Sequence, residues 1–183
     1  MTTKNLHKLM STKERVKILE HVLNGSSLNT NYISKEAGVN KGLVSRYFTL
    51  LVSFGILGKK GRFYILNQKS PIYRSVKIMF NIIKLSKILP FDRRIVGIGV
   101  YGSYAKGTNN ESSDIDIWIK SNSPLKEEDV AKFEYEMTKK LGARLNVTVL
   151  YPEKAERLRK EDKEFYYSIV SGSILLWGEG LGD

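Results

Sequence analysis

Residues 114–120, DIDIWIK, alternate without interruption, so in an extended chain Asp114 and Asp116 fall on one face while Ile115, Ile117 and Ile119 fall on the other. The stretch reads as a β-strand with one apolar side. Two carboxylates this close on one face repel, and a fold tolerates them when a divalent cation neutralises the pair or when water solvates both. Upstream, residues 94–101 (RIVGIGVY) form a short β-branched apolar run that reads as a central strand. Between the two strands lie Gly102-Ser103, a short helical turn over residues 104–106, and a loop. A strand entering a Gly-Ser turn at a helix start presents backbone N–H groups and a hydroxyl to an anion such as a phosphate. A phosphate cradle beside paired carboxylates is the arrangement that metal-assisted phosphoryl transfer needs.

The rest of the second half continues the alternation of element types. Residues 124–141 read as a charged amphipathic helix and 145–150 as a strand. Residues 152–170 read as one long helix carrying Phe165, Tyr166, Ile169 and Val170 near its end, and 174–177 as a last short strand. Strands and helices mixed in this way predict an α/β (α+β) domain built on a small mixed sheet.

Gly102-Ser103, ten residues, then Asp114-Ile115-Asp116 resembles the Gly-Ser-x10-Asp-x-Asp signature of minimal nucleotidyltransferases in the DNA polymerase beta superfamily. Ala105 and Gly107 complete a GSxAxG form, Ser113 precedes the first aspartate, and the resemblance spans about residues 92–178. It implies that Gly102 and Ser103 hold a nucleoside triphosphate, and that Asp114 and Asp116 are catalytic and bind Mg²⁺ or another divalent cation. For Lys106, contact with a phosphate and a solubilising place on the surface are both open. The family carries a third carboxylate on the next strand, which here reads ARLNVTVL and offers Asn146, with Thr148 on the same face. An amide oxygen can ligate a metal but carries no charge and accepts no proton at neutral pH. Glu111 and Glu153 flank the motif without sharing its strand register.

In the first half, residues 11–23 have helical apolar spacing and stop at Asn24-Gly25. A second helix is expected at about 31–37 before Gly38, and a third at about 41–54 with Leu43, Val44, Phe48, Leu51 and Val52 buried. The third helix would expose Asn40, Lys41, Ser45, Arg46 and Thr49, a set suited to base edges and phosphates in a major groove. After Gly55, ILGKKGRFYILN alternates around Gly61 as a β-hairpin with Lys59, Lys60 and Arg62 at its tip. Helix, turn, helix and basic hairpin resemble the winged-helix family over residues 10–68, which implies double-stranded DNA as partner. His7 and His21 belong to the basic half and carry no catalytic expectation.

Residues 71–89 form a connecting helix between Pro71 and Pro90, with a stripe at Ile72, Val76, Met79 and Ile83 widened by Phe80, Ile82, Leu85, Ile88 and Leu89. Such a helix suits burial between two domains or against a twin in a homodimer. The expected organisation is a DNA-binding domain at 1–69, the connecting helix at 70–90 and a nucleotidyltransferase-like domain at 91–183. Charge divides the same way. Residues 1–90 hold 16 lysines and arginines against three acids, a net +13, whereas residues 91–183 hold 14 against 16, a net −2. A positive field confined to one half favours a polyanion. The chain has no cysteine, which excludes disulfides and thiolate metal sites and suits a cytoplasmic protein. The longest apolar run is too short to cross a bilayer, so no membrane role is expected.

Three functions follow. The first is Mg²⁺-dependent transfer of a nucleoside monophosphate to an acceptor hydroxyl, with the winged helix on DNA. The second, which Asn146 favours, is a transcriptional regulator whose fold binds a nucleotide or a partner without turnover. The third is an antitoxin that modifies a separate toxin as the acceptor protein; Tyr135, Tyr151, Tyr166 and Tyr167 enter as acceptors in that chemistry, against the commoner role of aromatics at helical spacing as core.

Overall fold

The computed structural model describes residues 3–25 and 27–181, so residues 1, 2, 26, 182 and 183 of the expected domain ranges lie outside the described residues. The chain divides into two compact units, Met1–Lys77 and Ile78–Asp183, with the division falling inside one helix.

The first unit packs helices α1 (Lys13–Leu23), α2 (Thr30–Ala37) and α3 (Lys41–Ser53) with a hairpin of β1 (Leu57–Lys60) and β2 (Phe63–Leu66). Side-chain caps start each helix: Thr12 accepts from Arg15 N, Asn29 from Asn31 N, and Asn40 from Gly42 N. Gly38 ends α2 at φ 64°, the left-handed conformation that glycine enters without a Cβ penalty. Ile18, Leu19, Val22, Ile33, Val44, Phe48 and Leu51 are fully buried together with Ile56 at the start of the hairpin. The hairpin is antiparallel, with Lys60 opposite Phe63 and Leu57 opposite Leu66. Tyr64 packs edge-on against Phe48 at 4.9 Å, while Phe63 and Ile65 on the other face of the ribbon are exposed.

Helix α4 (Pro71–Leu85) ends four residues short of the expected Leu89, and its buried side is not the anticipated apolar stripe. Tyr73, Lys77, Asn81 and Leu85, each four residues from the next, are buried, whereas Ile72 and Ile83 are exposed. The polar members of that stripe are hydrogen-bonded, as burial requires. Lys77 Nζ donates to the Leu23 carbonyl at the C-terminal end of α1, where a cation meets the negative pole of the helix. Asn81 donates to the Tyr104 carbonyl at 2.9 Å and to Asn109 Oδ1 at 2.8 Å.

The second unit contains β3 (Ile95–Tyr101), α5 (Gly102–Lys106), β4 (Ile115–Ser121), α6 (Glu127–Leu141), β5 (Leu145–Leu150), α7 (Pro152–Glu161), α8 (Lys163–Gly172) and β6 (Ile174–Gly178). The sheet order is β5-β4-β3-β6, with β4 and β5 parallel and the other pairs antiparallel. This mixed α/β sheet agrees with the expected fold class. One face buries Ile98, Val100, Ile115, Ile117 and Ile119 with Phe133 and Leu141 of α6. The other buries Trp118, Leu150 and Ile169, with Tyr101 and Phe165 packed against them. The Trp118 ring lies where a side chain on Gly99 would stand, a Cβ there falling 2.4 Å from ring carbons, and the buried indole N–H has no partner among the described residues.

Two expected helices differ in extent. The helix expected at 124–141 begins at Glu127, because Lys126 is still extended at φ −69° and ψ 132°. The long helix expected at 152–170 is two helices, broken at Asp162 (φ −136°, ψ 75°), whose carboxylate accepts the Phe165 N–H and starts α8. Among the described residues no helix is long and apolar enough to cross a membrane.

Candidate functional site

Three strands carry the site in one row. Tyr101 of β3 pairs with Asp116 of β4, and Asp116 pairs with Asn146 of β5. Directly opposed residues share a face, so all three project to the same side of the sheet. Asp114 stands just before β4 on the side of Asp116, and both carboxylates are half-buried.

The turn meets the carboxylates at Gly102. This residue opens α5 at φ 67°, and a Cβ built on it would lie 2.7 Å from Asp116 Oδ2. Glycine is required twice over, for the left-handed backbone and for the close approach. The Gly102-Ser103 turn and the Asp116 carboxylate are therefore adjacent. Ser103 is half-buried, and its carbonyl accepts the N–H of Thr108 at 3.0 Å as the turn closes. Lys106 at the end of α5 is exposed. The loop into the aspartates is shaped by Asn110, whose Oδ1 accepts from Ser112 N at 2.9 Å and from the hydroxyls of Ser112 and Ser113. This Asx-type turn aims the chain at Asp114.

Asn146 joins the pair directly. Its Nδ2 donates to Asp116 Oδ1 at 3.0 Å and to Asp114 Oδ2 at 3.4 Å. One point between the carboxylates is thus within reach of both, and the hard oxygens of Asp114 and Asp116 suit Mg²⁺, while Asn146 turns its Nδ2 rather than its oxygen toward them. Among the described residues no cluster of three His, Cys, Asp or Glu side chains occurs, so two carboxylates are the whole charged complement. Glu111 is exposed in the preceding loop, and Glu153 lies in the first turn of α7, beyond the opposite end of β5 from Asn146.

Tyr101 of that row and Thr148, two residues beyond Asn146 on the same face of β5, were not singled out as site residues from sequence. The Tyr101 hydroxyl and Thr148 Oγ1 are 3.0 Å apart. Burial raises the Tyr101 phenol above its ordinary pKa, the Thr148 hydrogen bond opposes that shift, and the Asp116 charge adds to it. Tyr104 is likewise raised by burial, against a hydrogen bond from Asn109 and with the Asp114 charge adding. Asn81 and Asn109, which hold the far side of the turn, were also passed over. For Asn81 the available signal was an asparagine set between Phe80 and Ile82 in the apolar run of the helix.

In the first unit, Lys41, Ser45, Arg46 and Thr49 are exposed on α3, and Lys59, Lys60 and Arg62 are exposed on the hairpin. Two of the residues expected to contact DNA have local partners. Asn40 caps α3 through Gly42 N at 2.7 Å, and the Thr49 hydroxyl donates to the Ser45 carbonyl at 3.2 Å. Ser45 and Arg62 line one open cleft of about 630 Å³ with Asn29, Thr30, Asn31 and Phe63. Arg62 lies 5.3 Å over the Phe63 ring, and Lys59 lies 6.0 Å over Tyr64.

Residues 82–170 match the family model of the nucleotidyltransferase domain. Its span includes the turn, both aspartates and Asn146. No curated protein matches the chain. Solved structures with similarity include one described as a toxin–antitoxin with AMP-PNP, at 23% identity and a TM-score of 0.40, covering 55% of this chain and 73% of that one. A second is a tri-AMPylated HEPN toxin from Shewanella oneidensis in complex with MNT antitoxin, at 19% identity and a TM-score of 0.40, covering 56% and 73%. A third is a mutant of the toxin–antitoxin MntA-HpeT, at 20% identity and a TM-score of 0.40, also covering 56% and 73%.

Proposed function

We propose that the second unit transfers a nucleoside monophosphate from a nucleoside triphosphate to an acceptor hydroxyl. The observation that carries this is the contact of the Gly102-Ser103 turn with the Asp116 carboxylate, beside Asp114 on the same face. Gly102 and Ser103 would cradle the triphosphate, and Asp114 and Asp116 would hold a divalent cation with Asn146 as a neutral neighbour. The cation supplies charge stabilisation to the transferring phosphoryl group. The acceptor we propose is a hydroxyl on a partner protein, as in the antitoxin reading. Toxin–antitoxin pairs are what the solved structures above are described as, and the extension to this chain is our own. We further propose that the first unit is a DNA-binding winged helix, on the support of its net charge and of Arg62 and Ser45 lining one cleft.

A second reading is favoured by Asn146. With no third carboxylate to take the acceptor proton, the site would bind a nucleotide and regulate without turnover. Labelled ATP with Mg²⁺, incubated with the chain alone and with proteins encoded beside it, separates the two. Transferred label that Asp114→Asn plus Asp116→Asn abolishes is expected. Nucleotide binding with no label under any condition would leave the regulator.

A further inference from the structure

The contacts of Asn146 point to a role beyond that of a missing carboxylate. We infer that its carboxamide is a clasp that closes the aspartate pair against a free divalent cation. Its Nδ2 donates to one oxygen of each carboxylate, Asp116 Oδ1 at 3.0 Å and Asp114 Oδ2 at 3.4 Å, and so stands between the two groups a shared cation would bridge. Those hydrogen bonds to charged acceptors hold the like-charged pair together without a metal. A cation cannot enter between the carboxylates while N–H protons point into the same gap. Asn146 must turn its amide over, presenting Oδ1 as a ligand, or swing away.

The charge balance makes the clasp effective. The site offers two negative charges, with no third titratable ligand among the described residues. Mg²⁺ gives up its water reluctantly, and sites with one or two carboxylates usually rely on substrate phosphates to complete its coordination. A free ion would gain two carboxylates and lose the clasp's two hydrogen bonds. An ion arriving with a triphosphate adds phosphate oxygens and the Gly102-Ser103 turn to the same exchange. On the nucleotide reading above, Asn146 therefore couples metal entry to nucleotide entry. It is a positioning residue, acting through Asp114 and Asp116.

The test uses the full chain and two readouts that need no turnover. Thermal unfolding is followed with MgCl₂ alone, with a non-hydrolysable nucleoside triphosphate alone, and with both, for the native chain and for Asn146→Asp. The native chain is expected to shift only with both, whereas Asn146→Asp shifts with Mg²⁺ alone and binds it at least ~10-fold more tightly, since one added charge beside the ion is worth well over a tenfold change. Equal Mg²⁺ affinities in the two proteins would overturn the clasp. Should the variant fail to fold, the ¹⁵N-labelled side-chain amide of Asn146 in the native chain decides. Its signals should stay fixed with Mg²⁺ alone, and movement under that condition overturns the inference. Native amide signals that stay fixed with Mg²⁺ alone, together with no added effect of nucleotide in either protein, would support the clasp while retiring the nucleotide reading.

Discussion

At the scale of single residues, Gly102 is the position with least freedom. Any side chain there meets both a left-handed backbone and the Asp116 carboxylate, so Gly102→Ala should lose about 1–2 kcal/mol of stability from the backbone alone, measured by urea unfolding, and should displace Asp116. A second residue sets behaviour in alkali. Tyr47 is buried, its hydroxyl donates to the Leu9 carbonyl at 2.6 Å, and burial raises its pKa against the opposing charge of Arg15. The raised pKa means that the folded state keeps the phenol proton while the unfolded chain releases it near pH 10. This contribution is fully present below that value and is lost as pH climbs toward the folded pKa. Urea midpoints should therefore fall above about pH 10. Tyr47→Phe should flatten that fall, at a cost of about 1 kcal/mol for the lost hydrogen bond. Of the site residues, Asp114 and Asp116 were legible because strict alternation allows them only one face. The Asn146 hydrogen bonds were not, because a sequence gives an amide's row but not its direction.

Elements explain where periodicity misleads. The stripe of α4 that is buried includes Lys77 and Asn81, each with a backbone carbonyl to satisfy, and a hydrophobic pattern cannot find a polar buried face. The break between α7 and α8 was similarly hidden. Asp162 interrupts no apolar spacing, yet its carboxylate caps the second helix, and Asp162→Ala should cost about 1 kcal/mol by chemical denaturation. Strand β5 lies at one edge of the sheet, where unpaired N–H groups invite pairing with other chains. Here α6 covers two of them: Thr138 Oγ1 accepts from Leu145 N at 3.0 Å and Glu134 Oε1 from Val147 N at 2.7 Å. The double variant Glu134→Ala, Thr138→Ala should bare that edge and produce concentration-dependent association in sedimentation experiments. A chain with unchanged mass would show that the strand is protected by other means.

Across the whole molecule, charge is the property most plainly written in the sequence, because it needs no fold to be counted. Its excess is confined to the first half, while the carboxylate pair belongs to the second. If DNA is held by Lys41, Arg46, Lys59, Lys60 and Arg62, raising salt from about 50 to 200 mM should weaken duplex binding on the order of a hundredfold or more. The thermal shift given by nucleotide with Mg²⁺ should change far less, since it depends on few long-range charges. The two tryptophans extend this division to spectroscopy. Both Trp118 and Trp177 lie in the second unit, Trp118 wholly enclosed over Gly99 and Trp177 38% exposed. Excited selectively, their fluorescence would combine a short-wavelength component from the enclosed indole with a longer one from the wetter indole. The half of the chain that carries Asp114 and Asp116 thus has its own optical probe two residues from Asp116, while the basic half is dark at that wavelength.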